Sequence, residues 1–172
     1  MNIVCESLNE LRNFERKRDP LSSLGVGQRK LIKDWLEEMD VKNYMINDDL
    51  TIDVKGSVNL NGKDLAKFPD YIQFGKIIKG WFYCADNQLI SLKGCPNSVT
   101  NWFSCSRNKL TSLKDGPNTV GTGYDCRGNE LESLDYCATT CGGLFHCDFN
   151  PRKFTKEDVL KVCKVKRSNI YC

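Results

Sequence analysis

The side chains that could carry out acid–base or nucleophilic chemistry are few in this sequence. His146 is the sole histidine, and Cys147 follows it directly, so the two have the residue types of a base and a nucleophile. In a strand, however, adjacent side chains point to opposite faces, which separates this pair. We therefore expect no catalytic pair and classify the chain as a non-enzyme.

Zinc binding is a second chemistry to consider. Cys137, Cys141 and His146 lie close together in the sequence, and cysteine and histidine are the ligands that zinc prefers. The repeat pattern described below already assigns Cys141 and Cys147 to the protein interior, where they would act as small apolar side chains. We expect neither a metal nor any other cofactor.

A repeat of about 21 residues organises the central part of the chain. Four cysteines recur at this interval, and each follows an aromatic residue by two positions. Residues two apart share one face of a strand, and we expect that face to be buried and the thiols to be reduced. The expected inward positions are Val58 and Leu60, Phe82 and Cys84, Phe103 and Cys105, Tyr124 and Cys126, and Phe145 and Cys147.

The same register aligns the outward residues of successive strands into columns. It places Trp81 beside Trp102 on neighbouring strands, roughly 4.8 Å apart, with Tyr83 diagonal to Trp102. Exposed aromatic rings next to arginine are typical of protein interfaces. Alternatively, the rings only cover the strands or pack under the N-terminal segment. The candidate binding residues are Trp81, Tyr83, Asp86, Trp102, Ser104, Arg107, Asp125, Arg127 and His146.

Composition and charge narrow the possible partners. The chain has 172 residues, of which 40% are hydrophobic and 27% charged, as in a soluble globular domain. Its net charge is only +3, and no window resembles a membrane span, so we expect neither a membrane nor a nucleic-acid partner. The start, MNIVCESLNE, lacks the features of a signal peptide, which predicts a cytoplasmic protein.

The repeat has the pattern x-F-x-C-x-x-N-x-L-x-x-L, which resembles the leucine-rich repeat family, with aromatic residues and cysteine in two of the leucine columns. The resemblance covers residues 54–151 and implies that the repeated asparagines bond the backbone of adjacent turns. More narrowly, the phrases LTSLK, GCPNSV and NYMINDDLTIDVKGSVNL resemble small leucine-rich-repeat proteins of tailed bacteriophages.

The expected fold is therefore an α/β solenoid, a short stack of leucine-rich repeats with parallel strands and repeats too short for a helix of their own. Residues 1–56 would form an N-terminal cap of helix and hairpin, residues 57–150 the solenoid, and residues 151–172 a C-terminal cap helix and basic tail. Leu31, Ile32, Trp35, Leu36 and Met39 have helical spacing, and Leu8, Leu11 and Phe14 suggest an earlier short helix. The stretch RDPLSSLGVG between them is typical of a linker.

The sequence also predicts a turn before the repeats and a helix start after them. Lys55 and Gly56 would form a two-residue hairpin that leads from a strand ending at Val54 into Val58. Thr155, followed by acidic residues, would begin the cap helix.

These expectations favour a non-enzymatic protein-binding module that engages a host protein, such as a defence protein, through its concave face. One alternative is a sponge for a nucleotide-type immune signal, in which tryptophan stacks a base and Arg107 or Arg127 meets a phosphate. Another is a structural or assembly component of a virion.

Overall fold

The computed structural model describes residues 20–172 and, within the first helix, side chains from residue 25 onward. These residues fold into a parallel β-solenoid of about six turns, each about 21 residues long, with a helix at each end and little helix within the coil. The strands form two six-stranded sheets on different sides of the coil.

The front sheet contains the strands predicted from the repeat. Its order is β12-β11-β9-β7-β5-β3 and all its pairs are parallel. Every predicted inward residue is buried, with at most 1% of its surface exposed. The strands are β3 (Val58–Asn59), β5 (Phe82–Tyr83), β7 (Trp102–Ser104), β9 (Gly123–Asp125), β11 (Leu144–His146) and β12 (Ile170–Tyr171).

The back sheet was not predicted as a sheet. The return path of each repeat contains a short strand, and these strands pair in the order β1-β2-β4-β6-β8-β10. The inward column there contains Ile77, which is buried and pairs with Val99, whereas Ile78 is 39% exposed. The strands are β1 (Tyr44–Ile46), β2 (Ile52–Lys55), β4 (Phe74–Ile78), β6 (Ser98–Val99), β8 (Thr119–Val120) and β10 (Thr140–Cys141).

Each cysteine of the inward column lies near a backbone carbonyl of the next turn. The thiol of Cys84 donates to the carbonyl of Ser104 at 3.4 Å, and the thiol of Cys105 donates to the carbonyl of Asp125 at 3.6 Å. The cysteines among the described residues carry free thiols. Each column thiol therefore acts as a small apolar group with one weak donor.

The repeated asparagines form the ladder that the family resemblance implies. The amide nitrogen of Asn108 donates to the carbonyls of Cys84 and Cys105, both at 3.0 Å, and to that of Ser106 at 3.2 Å. Its amide oxygen accepts from the backbone N–H of Leu89 at 2.9 Å. Corresponding bonds are made by Asn87, Asn129 and Asn150. The ladder satisfies backbone groups that each turn would otherwise bury without a partner.

The N-terminal cap differs from the prediction in three places. Helix α1 (Pro20–Glu38) includes most of the predicted linker, with Pro20 at its start, where a missing N–H costs nothing. It buries Ile32, Trp35 and Leu36, but Leu31 is 50% exposed. The hairpin joins β1 to β2, whereas Lys55 and Gly56 form the corner between the back and front sheets. The predicted helix around Leu8, Leu11 and Phe14 lies outside the described residues.

The C-terminal cap begins as predicted and ends with an additional strand. Helix α2 (Lys156–Val162) is capped by Thr155, which accepts a hydrogen bond from the Asp158 N–H while the Asp158 carboxylate accepts from Thr155. After a 3-10 turn (Arg167–Asn169), β12 pairs with β11 and so extends the front sheet by one strand. Within residues 20–172, no helix is both long enough and apolar enough to cross a membrane.

Candidate binding surface

The outward side of the front sheet, which we call the front face, corresponds to the concave face predicted from the sequence. One outward residue from each front strand lies in a central column, which the strand register aligns as predicted. Strand β12 adds a sixth residue that sequence reasoning missed. The column contains Asn59, Tyr83, Ser104, Asp125, His146 and Tyr171.

The aromatic side chains of the front face form two groups. The ring of Trp81 stacks on that of Tyr83, with centroids 4.2 Å apart. The ring of Trp102 approaches His146 at 6.1 Å, and His146 stacks on Tyr171 at 4.7 Å. The two indoles therefore have different partners, and the joint patch that the register predicted is divided.

Trp102 owes its position to the residue beside it on the next strand. Gly123 pairs with Trp102 in the register, and a Cβ atom built on Gly123 would overlap the six-membered ring of the indole. Because a strand Cβ points out of the sheet, the indole must lie over the backbone of Gly123. One face of the ring covers the sheet, and the ring remains half-buried.

A depression of about 310 Å³ lies next to this ring. Small side chains, Ala85, Ser104 and Ser106, are buried there, while Tyr83 and Trp102 are half-buried. The hydroxyls of Ser104 and Ser106 are 3.1 Å apart and share a hydrogen bond. The depression is lined by Asn61, Tyr83, Ala85, Asp86, Trp102, Ser104, Ser106, Arg107, Asp125 and Arg127.

Two ion pairs flank the depression. Arg107 contacts Asp86 at 3.3 Å, and both side chains are largely exposed. Arg127 contacts Asp125 at 3.2 Å, and the Asp125 side chain is only 5% exposed. Burial raises the pKa of Asp125 above its ordinary value, although the backbone N–H and the guanidinium of Arg127 act in the opposite direction. The removal of this carboxylate from water thus affects its pKa more than the pairing with Arg127 does.

Two polar atoms beside the second ion pair lack hydrogen-bond partners among the described residues. They are the buried Nε of Arg127 and the buried Oδ1 of Asp148. These residues follow one another in an outward column, and Asp148 lies close enough to Asp125 to contribute to its raised pKa. Since a buried polar atom without a partner is costly, this end of the front face has unused hydrogen-bonding capacity.

Most of the predicted binding residues meet around the depression. Seven of the nine line it: Tyr83, Asp86, Trp102, Ser104, Arg107, Asp125 and Arg127. The other two, Trp81 and His146, lie beside it through their contacts with Tyr83 and Trp102. Sequence reasoning missed Asn61, Ala85 and Ser106 as lining residues, although the outward columns contain them.

The residues considered for catalysis and zinc binding make other contacts. His146 packs on the front face against Tyr171, whereas Cys147 is 1% exposed on the inner side of the strand. The thiol of Cys141 donates to the carbonyl of Leu144 at 3.2 Å, and that of Cys137 to the carbonyl of Ala138 at 3.5 Å. Within residues 20–172, no three acidic, cysteine or histidine side chains are arranged to hold a metal ion.

The front face is thus suited to recognition by stacking, ion pairing and hydrogen bonding on a rigid sheet. No family model, curated protein or solved structure matches the chain.

Proposed function

We propose that this chain is a non-enzymatic protein-binding module that engages its partner through the front face. The observation that carries the proposal is the depression of about 310 Å³ bounded by Tyr83, Trp102, Arg107 and Arg127. Tyrosine, tryptophan and arginine contribute most of the binding energy in protein interfaces, particularly near a depression that excludes water.

The hydrogen-bonded framework under the front face supports the same function. The binding side chains project from the front strands or from residues within three positions of them, and the asparagine ladder joins adjacent turns beneath them. A surface that is already ordered loses little conformational entropy when a partner binds.

We further propose that the repeats are a short variant of the leucine-rich repeat and that the partner is a host protein of a bacteriophage. The pattern x-F-x-C-x-x-N-x-L-x-x-L and its asparagine ladder support the first point. The second rests on the resemblance of LTSLK and GCPNSV to small phage proteins.

The charges of the front face weigh against the nucleotide sponge. Arg107 and Arg127, which would have to meet a phosphate, are each paired with an aspartate in the structure. A phosphate would have to displace these carboxylates or lie next to them, and both cost binding energy.

Affinity capture tests the proposal. The wild-type protein, Trp102→Ala and Tyr136→Ala would be used as baits in lysate of the bacterial host, with mass spectrometry as the readout. Tyr136 is 68% exposed beside the back sheet, which makes it a matched aromatic control. We expect a protein that is retained by wild type and Tyr136→Ala, is lost with Trp102→Ala, and binds directly when purified.

Other outcomes would contradict the proposal. Equal retention by all three baits would place binding outside the front face. Release of a nucleotide from heat-denatured protein would favour the sponge, and recovery of the chain in purified phage particles would favour an assembly role.

A further inference from the structure

Trp102 presents a flat aromatic face at the edge of the depression. Because its indole lies over Gly123, one face of the ring is covered by the sheet and the other is turned away from it. Within residues 20–172, the guanidinium carbon of Arg152 lies over the ring of Phe154, 5.3 Å from its centre. No arginine or lysine of these residues lies over the ring of Trp102 in the same way. The outer face of Trp102 therefore has no arginine or lysine of the described residues stacked on it.

Carboxylates and guanidinium groups are balanced in the lining of the depression, and one more carboxylate lies beside it. Asp86 and Asp125 stand against Arg107 and Arg127 in the lining, and Asp148 is close enough to Asp125 to contribute to its raised pKa. Tryptophan is the aromatic side chain that attracts cations most strongly through its face. The negatively polarised outer face of Trp102 and the neighbouring carboxylate of Asp148 therefore both favour a cation as the ligand.

The carboxylates also retain capacity for another hydrogen-bond donor. Asp86 meets Arg107 through a single contact of 3.3 Å between exposed groups, which water and other ions can replace. Asp148 has a buried oxygen without a partner among the described residues. Burial also keeps the pKa of Asp125 raised despite Arg127, so its ionised form would be stabilised by a further positive group.

We propose that the depression receives an arginine side chain of the partner protein, with its guanidinium stacked on the outer face of Trp102 and paired with the surrounding carboxylates. This inference rests on the proposed function and specifies what the partner presents. Guanidinium has a flat face for the indole and five N–H donors for carboxylate oxygens. An acidic side chain would instead meet the carboxylates of Asp86, Asp125 and Asp148, and a neutral ring would leave these carboxylates without new partners.

A peptide titration tests the inference without knowledge of the partner. The probe is acetyl-Gly-Arg-Gly-amide, and the matched peptides contain citrulline, lysine or glutamate in place of arginine. Citrulline retains nearly the same shape but has no charge. The readout is the indole N–H signal of Trp102 in the ¹H–¹⁵N NMR spectrum, assigned with Trp102→Phe.

The arginine peptide should shift this signal in a saturable manner, with a dissociation constant on the order of 1 mM, as expected for a single anchoring side chain. The citrulline peptide should bind at least ~10-fold more weakly, and the glutamate peptide should produce no saturable shift. Asp125→Asn should weaken arginine binding by roughly 10-fold. Because Asp125 is buried, Asp86→Asn provides a second variant at an exposed position, with an expected loss of ~3-fold.

Several results would overturn the inference. They are equal binding of the arginine and citrulline peptides, tighter binding of the lysine or glutamate peptide, or no saturable shift at all. If the capture experiment identifies a partner that depends on Trp102 while the arginine peptide fails, the inference is wrong and the proposed function stands. If the arginine peptide binds but no partner protein is found, the proposed function fails instead.

Discussion

The indole of Trp102 lies over the backbone of Gly123 on the adjacent strand. Gly123→Ala should therefore push the indole away from the sheet, because the added methyl group needs the space that the ring occupies. The ring is half-buried at the end of a side chain with two rotatable bonds, so we expect it to move and the fold to remain. Partner affinity should fall by about 10-fold or more, measured by titration calorimetry.

Gly27→Ala is the matched control for this change. Gly27 is exposed in α1, and a Cβ atom built there meets nothing within 4 Å. Alanine should increase the free energy of unfolding by about 0.5–1 kcal/mol and leave binding unchanged. Normal partner affinity in a folded Gly123→Ala protein would show that the position of the Trp102 ring does not matter.

The asparagine ladder should contribute strongly to stability. Asn108→Ala removes three donated hydrogen bonds and one accepted bond, and leaves the buried N–H of Leu89 without its partner. We expect a loss of about 2–4 kcal/mol in the free energy of unfolding, measured by urea denaturation. Asn101→Ala, at an exposed position, should change it by less than about 0.5 kcal/mol. Similar effects of the two substitutions would refute a structural role for Asn108.

Tyr124 lies in a column of phenylalanines and buries a hydroxyl that has no partner among the described residues. Tyr124→Phe removes this unpaired group, so the free energy of unfolding should stay the same or increase by up to about 1 kcal/mol. Phe103→Tyr, the reciprocal change at the adjacent turn, should decrease it by about 1–3 kcal/mol. Destabilisation by Tyr124→Phe would mean that the hydroxyl has a partner, such as a buried water.

The column thiols should make stability fall at alkaline pH. Burial raises the pKa of Cys105 and Cys126 well above the ordinary value. Below about pH 8.5 both folded and unfolded thiols are protonated, so they cause no change in stability. Above it, the unfolded thiols ionise while the folded ones stay protonated, and each should lower the free energy of unfolding by up to about 1.4 kcal/mol per pH unit.

Thiol labelling gives an independent measurement of the same column. In the native protein Cys105 should react slowly and the exposed Cys172 rapidly, while all ten cysteines should react after denaturation. Cys105→Ser should destabilise the protein by about 1–3 kcal/mol, because it buries a more polar group. A disulfide between members of the column would contradict this account of the core.

The front sheet could be predicted because alternation and the 21-residue interval are properties of the sequence alone. The spacing that puts Phe103 and Cys105 inside also puts Trp102 and Ser104 outside, and the register confirms both. The back strands were missed as a sheet because three of the six, among them Ser98–Val99, have only two residues, too few to show alternation. They pair only because the front sheet brings successive turns together.

Local composition misled the prediction at the N-terminal cap. Gly25 and Gly27 have low helix propensity, yet they lie in α1, whose Trp35 packs on Phe68 and Phe74 of the first turns. Tertiary packing thus overrides local preference here. On the front face, the register predicts which side Trp102 occupies but not the direction in which its ring leans, which depends on the absence of a side chain at Gly123.

The affinity of the captured partner for the Trp81→Ala/Trp102→Ala double variant tests the central claim most directly. Both rings are half-buried on the front face and outside the core, so we expect the thermal midpoint to change little. The dissociation constant should rise by about two orders of magnitude or more, since each aromatic anchor of an interface contributes about 2 kcal/mol. A folded double variant that binds the partner normally would contradict the claim that this face is the binding surface.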